Sequence, residues 1–343
     1  MIRSDPMKTK VAAVVTLIST GLFAQPGNPT MKAIIAREYG GPEVLKLEQV
    51  PRPEPKENEI LVKVIAAGLN PVDGMIRSGK YAKFFGTRLP LVPGYDIAGI
   101  VERAGAKTDK FKKGDAVYAY IDLKTGGGYA EYALVTAKEA APKPKSLTYV
   151  EAAAVPIVAL TAWQALVDTA KLSKGQTVLI HGGSGGVGSF AIQFAKLRGA
   201  KVFATASTRN QDFLKELGAD VAIDYTTQKF EDVAKDVDVV LESVGGETLT
   251  RSYGVVKKGG IVVSLLGPPN QAELDKHGIR GAALGVEPNS SELGEIGKLI
   301  DDKKVKVIVS QTFSLADAAK AQEQVATGHT RGKIVLQVAD EPK

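Results

Sequence analysis

The sequence predicts an α/β chain in which a small domain of short β-strands is interrupted by a doubly wound domain built on a parallel sheet. Three observations carry this. Residues 31 to about 150 hold brief β-type runs punctuated by Gly and Pro. Near Glu151 the texture changes to short continuous apolar strands alternating with amphipathic helices, the pattern of a parallel sheet covered on both faces. The last strands and helices, after about Pro288, are too few for a further domain and are expected to complete the first. The expected division is thus 31–156 with 288–343, and 157–287 between them.

In the first part the runs are Lys32–Ala36, Val44–Val50, Ile60–Ala67, Ile97–Arg103, Ala116–Tyr120 and Ala130–Val135. Their length and spacing suggest a small barrel or sandwich. Pro51-Arg52-Pro53-Glu54-Pro55 reads as an extended connector. A helical stretch follows over Ala152–Asp168, interrupted at Pro156. Expected strands are then Val178–His181, Lys201–Thr205, Val221–Ile223, Val237–Leu241, Ile261–Leu266 and Gly281–Val286, with helices such as Ser189–Leu197, Gln211–Leu217 and Glu247–Val256 between them. The tail adds a helix, the strand Val305–Val309, the helix Leu315–Ala326 and the strand Lys333–Val338.

Residues 1–30 stand apart. A short basic stretch from Met7 precedes an apolar run, Val11 to Ala24, and the breaker Gln25-Pro26-Gly27-Asn28-Pro29. This is the grammar of a secretory signal and is too short for a membrane span. The other reading is an upstream extension, with Met31 as the start. A cytoplasmic protein follows from the second reading, and a periplasmic or secreted one from the first.

Composition narrows the chemistry. The 343 residues contain no Cys and 3 His, which removes disulfides, cysteine nucleophiles and thiolate zinc sites. The formal charge is +6, of which +4 remains without residues 1–30. Basic residues are interspersed with acids and form no dense run, so a nucleic-acid partner is not expected.

The most informative stretch is Val178-Leu-Ile-His-Gly-Gly-Ser-Gly-Gly-Val-Gly188. Gly183, Gly185 and Gly188 take the G-x-G-x-x-G spacing between a strand and a helix starting near Val187, so Ser184, Gly186 and Val187 lie in a loop suited to a pyrophosphate. After the second strand, where NAD selection places an acid, stand Ala206-Ser207-Thr208-Arg209-Asn210. With Ser207 and Arg209 there and no carboxylate, NADPH is favoured. The competing reading of Arg209 is a solvated residue at a helix start.

His181–Gly188, Ala204-Thr-Ala-Ser207, Leu217-Gly-Ala-Asp220 and Ile223-Asp-Tyr225 resemble the medium-chain dehydrogenase/reductase superfamily. Within it, Gly68-Leu-Asn-Pro-Val-Asp73, Arg77-Ser-Gly-Lys-Tyr81, Pro93-Gly-Tyr-Asp-Ile-Ala-Gly99 and Gly328-His-Thr-Arg-Gly-Lys-Ile-Val-Leu336 are similar to the zinc-independent quinone oxidoreductase and 2-alkenal (enone) reductase branch, which includes zeta-crystallin. The resemblance implies a GroES-like β-barrel interrupted by a Rossmann domain, with the active site between them, and a homodimer. Zinc-dependent members have a Cys near Asn70 and a His-Glu pair at Tyr95-Asp96; here no metal site is expected, and Asp96 reads as a structural carboxylate.

An acceptor reduced without a Lewis acid should delocalise its own charge, as a quinone or an α,β-unsaturated carbonyl does. The resemblance implies Asn70 and Tyr81 as catalytic residues, Asn70 also lying near the nicotinamide. The alternatives are a buried amide serving the turn for Asn70 and a pocket wall for Tyr81. A second tyrosine of zeta-crystallin is Met75 here, and no proton donor is assigned. Thr161 is expected near the nicotinamide or in a helix core, Tyr225 beside the adenine or 2′-phosphate, Gly245, Gly246, Leu266 and Gly267 near the ribose and nicotinamide, and Lys333 reaching the cofactor. Two other functions stay open: reduction of 2-enoyl thioesters, and low-turnover NADPH binding with an RNA-binding role.

Overall fold

A computed structural model describes residues 29–342; the leader or extension up to residue 28 lies outside the described residues. Pro29 and Thr30, which the sequence reading leaves outside the fold, belong to it. The strand β1 (Thr30–Ala36) pairs antiparallel with β2 (Leu45–Pro51) from Thr30 opposite Pro51, and Pro29 O accepts from Arg52 N at 2.9 Å.

The barrel strands are β3 (Glu59–Gly68), β4 (Asp96–Ala104), β5 (Ala116–Tyr120), β6 (Tyr132–Thr136) and β7 (Ala140–Pro142). The short β7 has no counterpart among the sequence expectations, because three residues ending in proline carry no readable period. The parallel sheet is made of β8 (Thr177–Ile180), β9 (Lys201–Ala206), β10 (Val221–Asp224), β11 (Val237–Glu242), β12 (Val256–Ser264) and β13 (Arg280–Ala283). Its order is β10-β9-β8-β11-β12-β13. Succession reverses direction between β8 and β11, and the crevice beyond their carboxyl ends is where ligands bind in such sheets.

The chain then returns. β14 (Val309–Ser314) and β15 (Lys333–Gln337) extend the barrel sheet in the order β14-β15-β3-β4-β5-β7, with β6 on β3. The sequence expects a strand over Val305–Val309, yet the ladder begins where that run ends. Val305 is buried and Val307 and Ile308 pack on the core, but Gln193 takes both backbone groups of Lys306, at 2.7 Å and 3.1 Å. β14 itself reads Val-Ser-Gln-Thr-Phe-Ser and is largely exposed, so hydrophobicity does not reveal it.

The long helical stretch forms as Tyr149–Ala153, Pro156–Trp163 and a wide-turned continuation Gln164–Thr169, with the break before Pro156 as expected. The Pro156–Trp163 helix is buried all round and packs on the helix Gly186–Leu197, with Trp163 edge-to-face on Phe194 at 5.3 Å. One apolar core therefore runs from Ile65 and Tyr95 of the barrel to Val178 of the parallel sheet and Phe190 of the helix Gly186–Leu197. Among the described residues no helix is long and apolar enough to cross a membrane.

Candidate active site

A cleft of about 680 Å³ lies between the two sheets. The helix Gly186–Leu197 opens it. Gly185 is the N-cap, and by helix geometry the first-turn N–H groups of Gly186, Val187 and Gly188 have no partner within the helix. All four residues line the cleft with Ser184. At Gly188 a Cβ would collide with the Gly182 carbonyl oxygen and sit 2.6 Å from Gly183 Cα, so only glycine lets the strand and helix approach this closely. Gly183 itself faces Leu214, Ala204 and Ile192, and does not line the cleft.

Ser207 and Arg209 line the cleft beyond β9, as does the half-exposed Tyr225. Arg209 donates to His329 O at 2.9 Å, and Asn210 Nδ2 to Ser184 Oγ at 3.2 Å. The segment Gly328–Lys333 thus closes over the glycine loop. Gly332 N donates to Ser184 O at 2.8 Å, and Arg331 donates to Asn210 Oδ1 at 3.0 Å while stacking on Phe213. His329, which lines the cleft, and Arg331, which braces the cleft residue Asn210, were not assigned by sequence reasoning; the Gly-His-Thr-Arg-Gly-Lys run was their only signal.

Arg251 was missed too. It reaches the cleft wall, stacked on Phe230 and paired with Glu231 through two nitrogens, 20 residues away in sequence. Among the described residues no Asp or Glu lines the cleft, whereas Arg209 and Arg251 do, with Lys333 at the barrel end paired to Asp96. A polyanion fits such a lining.

At the barrel end stand Leu69, Asn70, Pro71, Val158, Lys333 and Ile334. Asn70 is buried at the end of β3 and caps the helix Pro71–Arg77. Its Nδ2 donates to Asp96 Oδ2 at 2.9 Å, and its Oδ1 accepts from Lys333 Nζ at 2.6 Å. Lys333 Nζ also donates to Asp96 Oδ2 at 3.0 Å and to Leu69 O at 2.6 Å; Ile157 N donates to Asp96 Oδ1 at 2.8 Å. Burial raises the Asp96 carboxyl above its ordinary value, and the Lys333 ammonium and the Asn70 and Ile157 donors pull it back. Every neighbour bonded to it donates, so the geometry accommodates the carboxylate.

Other sequence-predicted residues lie elsewhere. Tyr81 heads the short helix Ala82–Phe85 in an aromatic group with Phe84 and Phe85 and does not line the cleft. Thr161 is inside the Pro156–Trp163 helix with its hydroxyl donating to Ile157 O at 2.7 Å, and it too is off the cleft wall. Leu266 lines the cleft, but Gly245, Gly246 and Gly267 do not; Gly245 N is bonded to the buried Glu242 carboxylate. Among the described residues no group of three or more His, Cys, Asp or Glu is arranged to hold a metal.

His181, directly before the glycine loop, is held in one tautomer. The single Ser252 hydroxyl hydrogen goes to Thr248 O at 2.6 Å, so Ser252 Oγ accepts from His181 Nε2 at 3.0 Å, and Nδ1 is left to accept from Thr205 Oγ1 at 3.2 Å. Burial pushes the His181 pKa down to about 4. Below its ordinary 6.5 the unfolded chain binds a proton that the native state rejects, so His181 makes stability rise from about pH 4 to 6.5.

Asp73 acts oppositely. Burial pushes it up to about 7, against the bonds from Tyr129 (2.6 Å) and Asn70 N (2.8 Å). The native state keeps a proton that the unfolded chain releases near 3.8, so stability falls as pH rises from there through about 7. At about 1.4 kcal/mol per pH unit, the His181 effect amounts to about 3 kcal/mol and the Asp73 effect to about 4 kcal/mol. Asp73→Asn, whose amide oxygen can still accept both bonds, is expected to remove the falling component. Thermal melts from pH 5 to 8 should then drop less with pH than in the wild type; an identical slope would refute the assignment.

Comparison with known proteins agrees with this geometry. The family model described as an alcohol dehydrogenase GroES-like domain matches residues 56–145, and one described as a zinc-binding dehydrogenase matches residues 217–336. A 2-methylene-furan-3-one reductase of Solanum lycopersicum is 41% identical over 321 residues, covering 89% of this chain and 79% of that protein. The chain belongs to the medium-chain dehydrogenase/reductase superfamily, in its quinone oxidoreductase and enone reductase branch. An NADPH-dependent alkenal/one oxidoreductase of Arabidopsis thaliana, chloroplastic, is 40% identical with the same coverages. The quinone oxidoreductase structure from Coxiella burnetii superposes with a TM-score of 0.85 at 37% identity, over 90% of this chain and all of that one. Members of this branch therefore share the barrel and parallel sheet that form the cleft here.

Proposed function

We propose that the protein is an NADPH-dependent oxidoreductase that transfers hydride to a quinone or to the C=C of an α,β-unsaturated carbonyl. The carboxylate-free cleft, running from a glycine-lined helix start to Arg209, carries this reading. Residues 157–287 form the NADPH-binding half; residues 31–156 and 288–343 form the catalytic half.

The residues fit the coenzyme. The first-turn N–H groups of Gly186, Val187 and Gly188 hold the pyrophosphate, and Ser207 and Arg209 hold the 2′-phosphate, with Tyr225 beside them. When bound, NADPH supplies the hydride. Leu69, Val158 and Ile334 keep the barrel end apolar and exclude water from the reacting atoms. The second Nδ2 hydrogen of Asn70, the one not directed to Asp96, donates to the acceptor oxygen on which charge accumulates. The resulting enolate or hydroquinone anion takes its proton from solvent as it leaves the cleft. The protein is further proposed to be a homodimer, as the family resemblance implies, which sedimentation equilibrium tests.

NADPH oxidation assayed with 9,10-phenanthrenequinone, short 2-alkenals and a crotonyl thioester tests the function. Turnover of the first two is expected. Tight NADPH binding without turnover of any acceptor would exclude the enzyme; a strong preference for the thioester would redirect the substrate class.

A further inference from the structure

We propose that Lys333 and Asp96 form a positioning pair that fixes the Asn70 carboxamide in the single orientation where an Nδ2 hydrogen, and not Oδ1, serves the acceptor. This deepens the functional reading above and rests on it for the identity of the acceptor.

An asparagine amide can sit in its site in two orientations that differ by exchanging O and N, and neighbours decide between them. Here the neighbours decide without ambiguity. An ammonium can only donate, so the atom 2.6 Å from Lys333 Nζ is the oxygen. A carboxylate can only accept, so the atom 2.9 Å from Asp96 Oδ2 is the nitrogen. Asp96 is itself fixed from the other side, because Ile157 N, at the start of the buried helix, donates to its Oδ1.

Lys333 is placed just as firmly. Its three ammonium hydrogens match three acceptors, Leu69 O, Asn70 Oδ1 and Asp96 Oδ2, and the residue is 4% exposed. Its backbone N donates to Ile308 O at 2.9 Å, and the residue before it, Gly332, bonds the coenzyme loop at Ser184. Gly332 has φ +63°, and a Cβ there would collide with Ile308 O. The amide that serves the acceptor is thus referenced, through two consecutive residues, to the loop that holds the phosphates. A cation against Oδ1 also polarises the amide and strengthens its N–H as a donor.

The decisive variant is the double substitution Asp96→Asn/Lys333→Met, which leaves no unpaired buried charge. Asn at 96 still accepts from Ile157 N through its oxygen, so its NH₂ takes the place of Oδ2 and must donate. The Asn70 amide is then expected to turn over, presenting Oδ1 to residue 96.

Two readouts follow. In 15N-labelled protein without coenzyme or acceptor, the wild-type Asn70 side-chain amide should give two resolved protons, one protected from solvent exchange by Asp96 and one exchanging; in the double variant that protection should be lost. With coenzyme, kcat should fall about 100-fold, well beyond any rise in the NADPH dissociation constant, because the glycine loop and Arg209 are untouched. Equal exchange of both wild-type protons would overturn the proposal, as would wild-type kcat in a folded double variant. Wild-type turnover tests the functional reading, and the amide measurement, needing no turnover, tests the pair.

Discussion

Replacing Asp96 by alanine is expected to destabilise the protein by about 3–5 kcal/mol, the usual loss when one partner of a buried ion pair is removed. The carboxylate is fully buried and holds Lys333 Nζ, Asn70 Nδ2 and Ile157 N together. Without it the Lys333 ammonium keeps only Leu69 O and Asn70 Oδ1, and the start of the Pro156–Trp163 helix loses its acceptor. Denaturant titration at pH 7 measures the loss. A change below about 1 kcal/mol, the range of exposed pairs, would mean that water reaches the site and replaces the carboxylate. Activity should fall with stability in this variant, which separates it from the charge-balanced one described above.

Arg209→Glu is expected to shift the kcat/KM ratio of NADPH over NADH by about 100-fold toward NADH. The wild-type residue offers a guanidinium on a wall that has no carboxylate. The variant removes that cation and sets an anion where the 2′-phosphate is to bind, while a ribose 2′-hydroxyl gains an acceptor. Because Arg209 also donates to His329 O, apoenzyme stability should be measured alongside; surface bonds of this kind contribute about 1 kcal/mol or less. An unchanged coenzyme ratio would show that another group, with Arg251 the nearest alternative in charge, holds the phosphate.

Much of the fold is legible in the sequence because its physics is local. Continuous apolar runs such as Val178-Leu-Ile and Val239-Val-Leu are buried on both faces, and they appear in the structure as β8 and β11 of an all-parallel sheet. The glycine loop is legible since tight packing at Gly188 forbids a side chain. β14 is not, since it is a polar edge strand chosen by its partner β15 rather than by burial.

In the site, Ser184–Gly188, Ser207, Arg209, Tyr225, Leu266, Asn70 and Lys333 meet on one cleft, although they come from segments far apart in the chain. What stayed hidden is pairing. Lys333 is linked to Asp96 and Asn70 across 237 and 263 residues, and those two to each other across 26, while Asp96 shows in sequence only as a carboxylate in a strand-turn. Thr161 shows the same limit from the other side: the sequence offers it either near the nicotinamide or in a helix core, and only the structure shows its hydroxyl donating to the carbonyl one turn back.

The placement of β15 also orders events during synthesis. It follows every other strand of the barrel sheet, yet it pairs with β3 through Ala66, Ala67 and Gly68 and delivers Lys333 to a pocket formed by residues 69, 70 and 96. A ribosome-bound chain can fold its parallel sheet, but until residues 333–337 emerge the buried carboxylate of Asp96 lacks the Lys333 counter-charge and β3, paired with β6 over Glu59–Lys63, has an open edge at Ala66–Gly68. The glycine loop and the crevice between β8 and β11 can therefore form before Gly328–Lys333 closes the cleft and the barrel end is completed, and translation itself withholds the finishing lysine. Chains truncated before residue 333 should be recognised by proteases and chaperones as unfinished, through the exposed edge of β3.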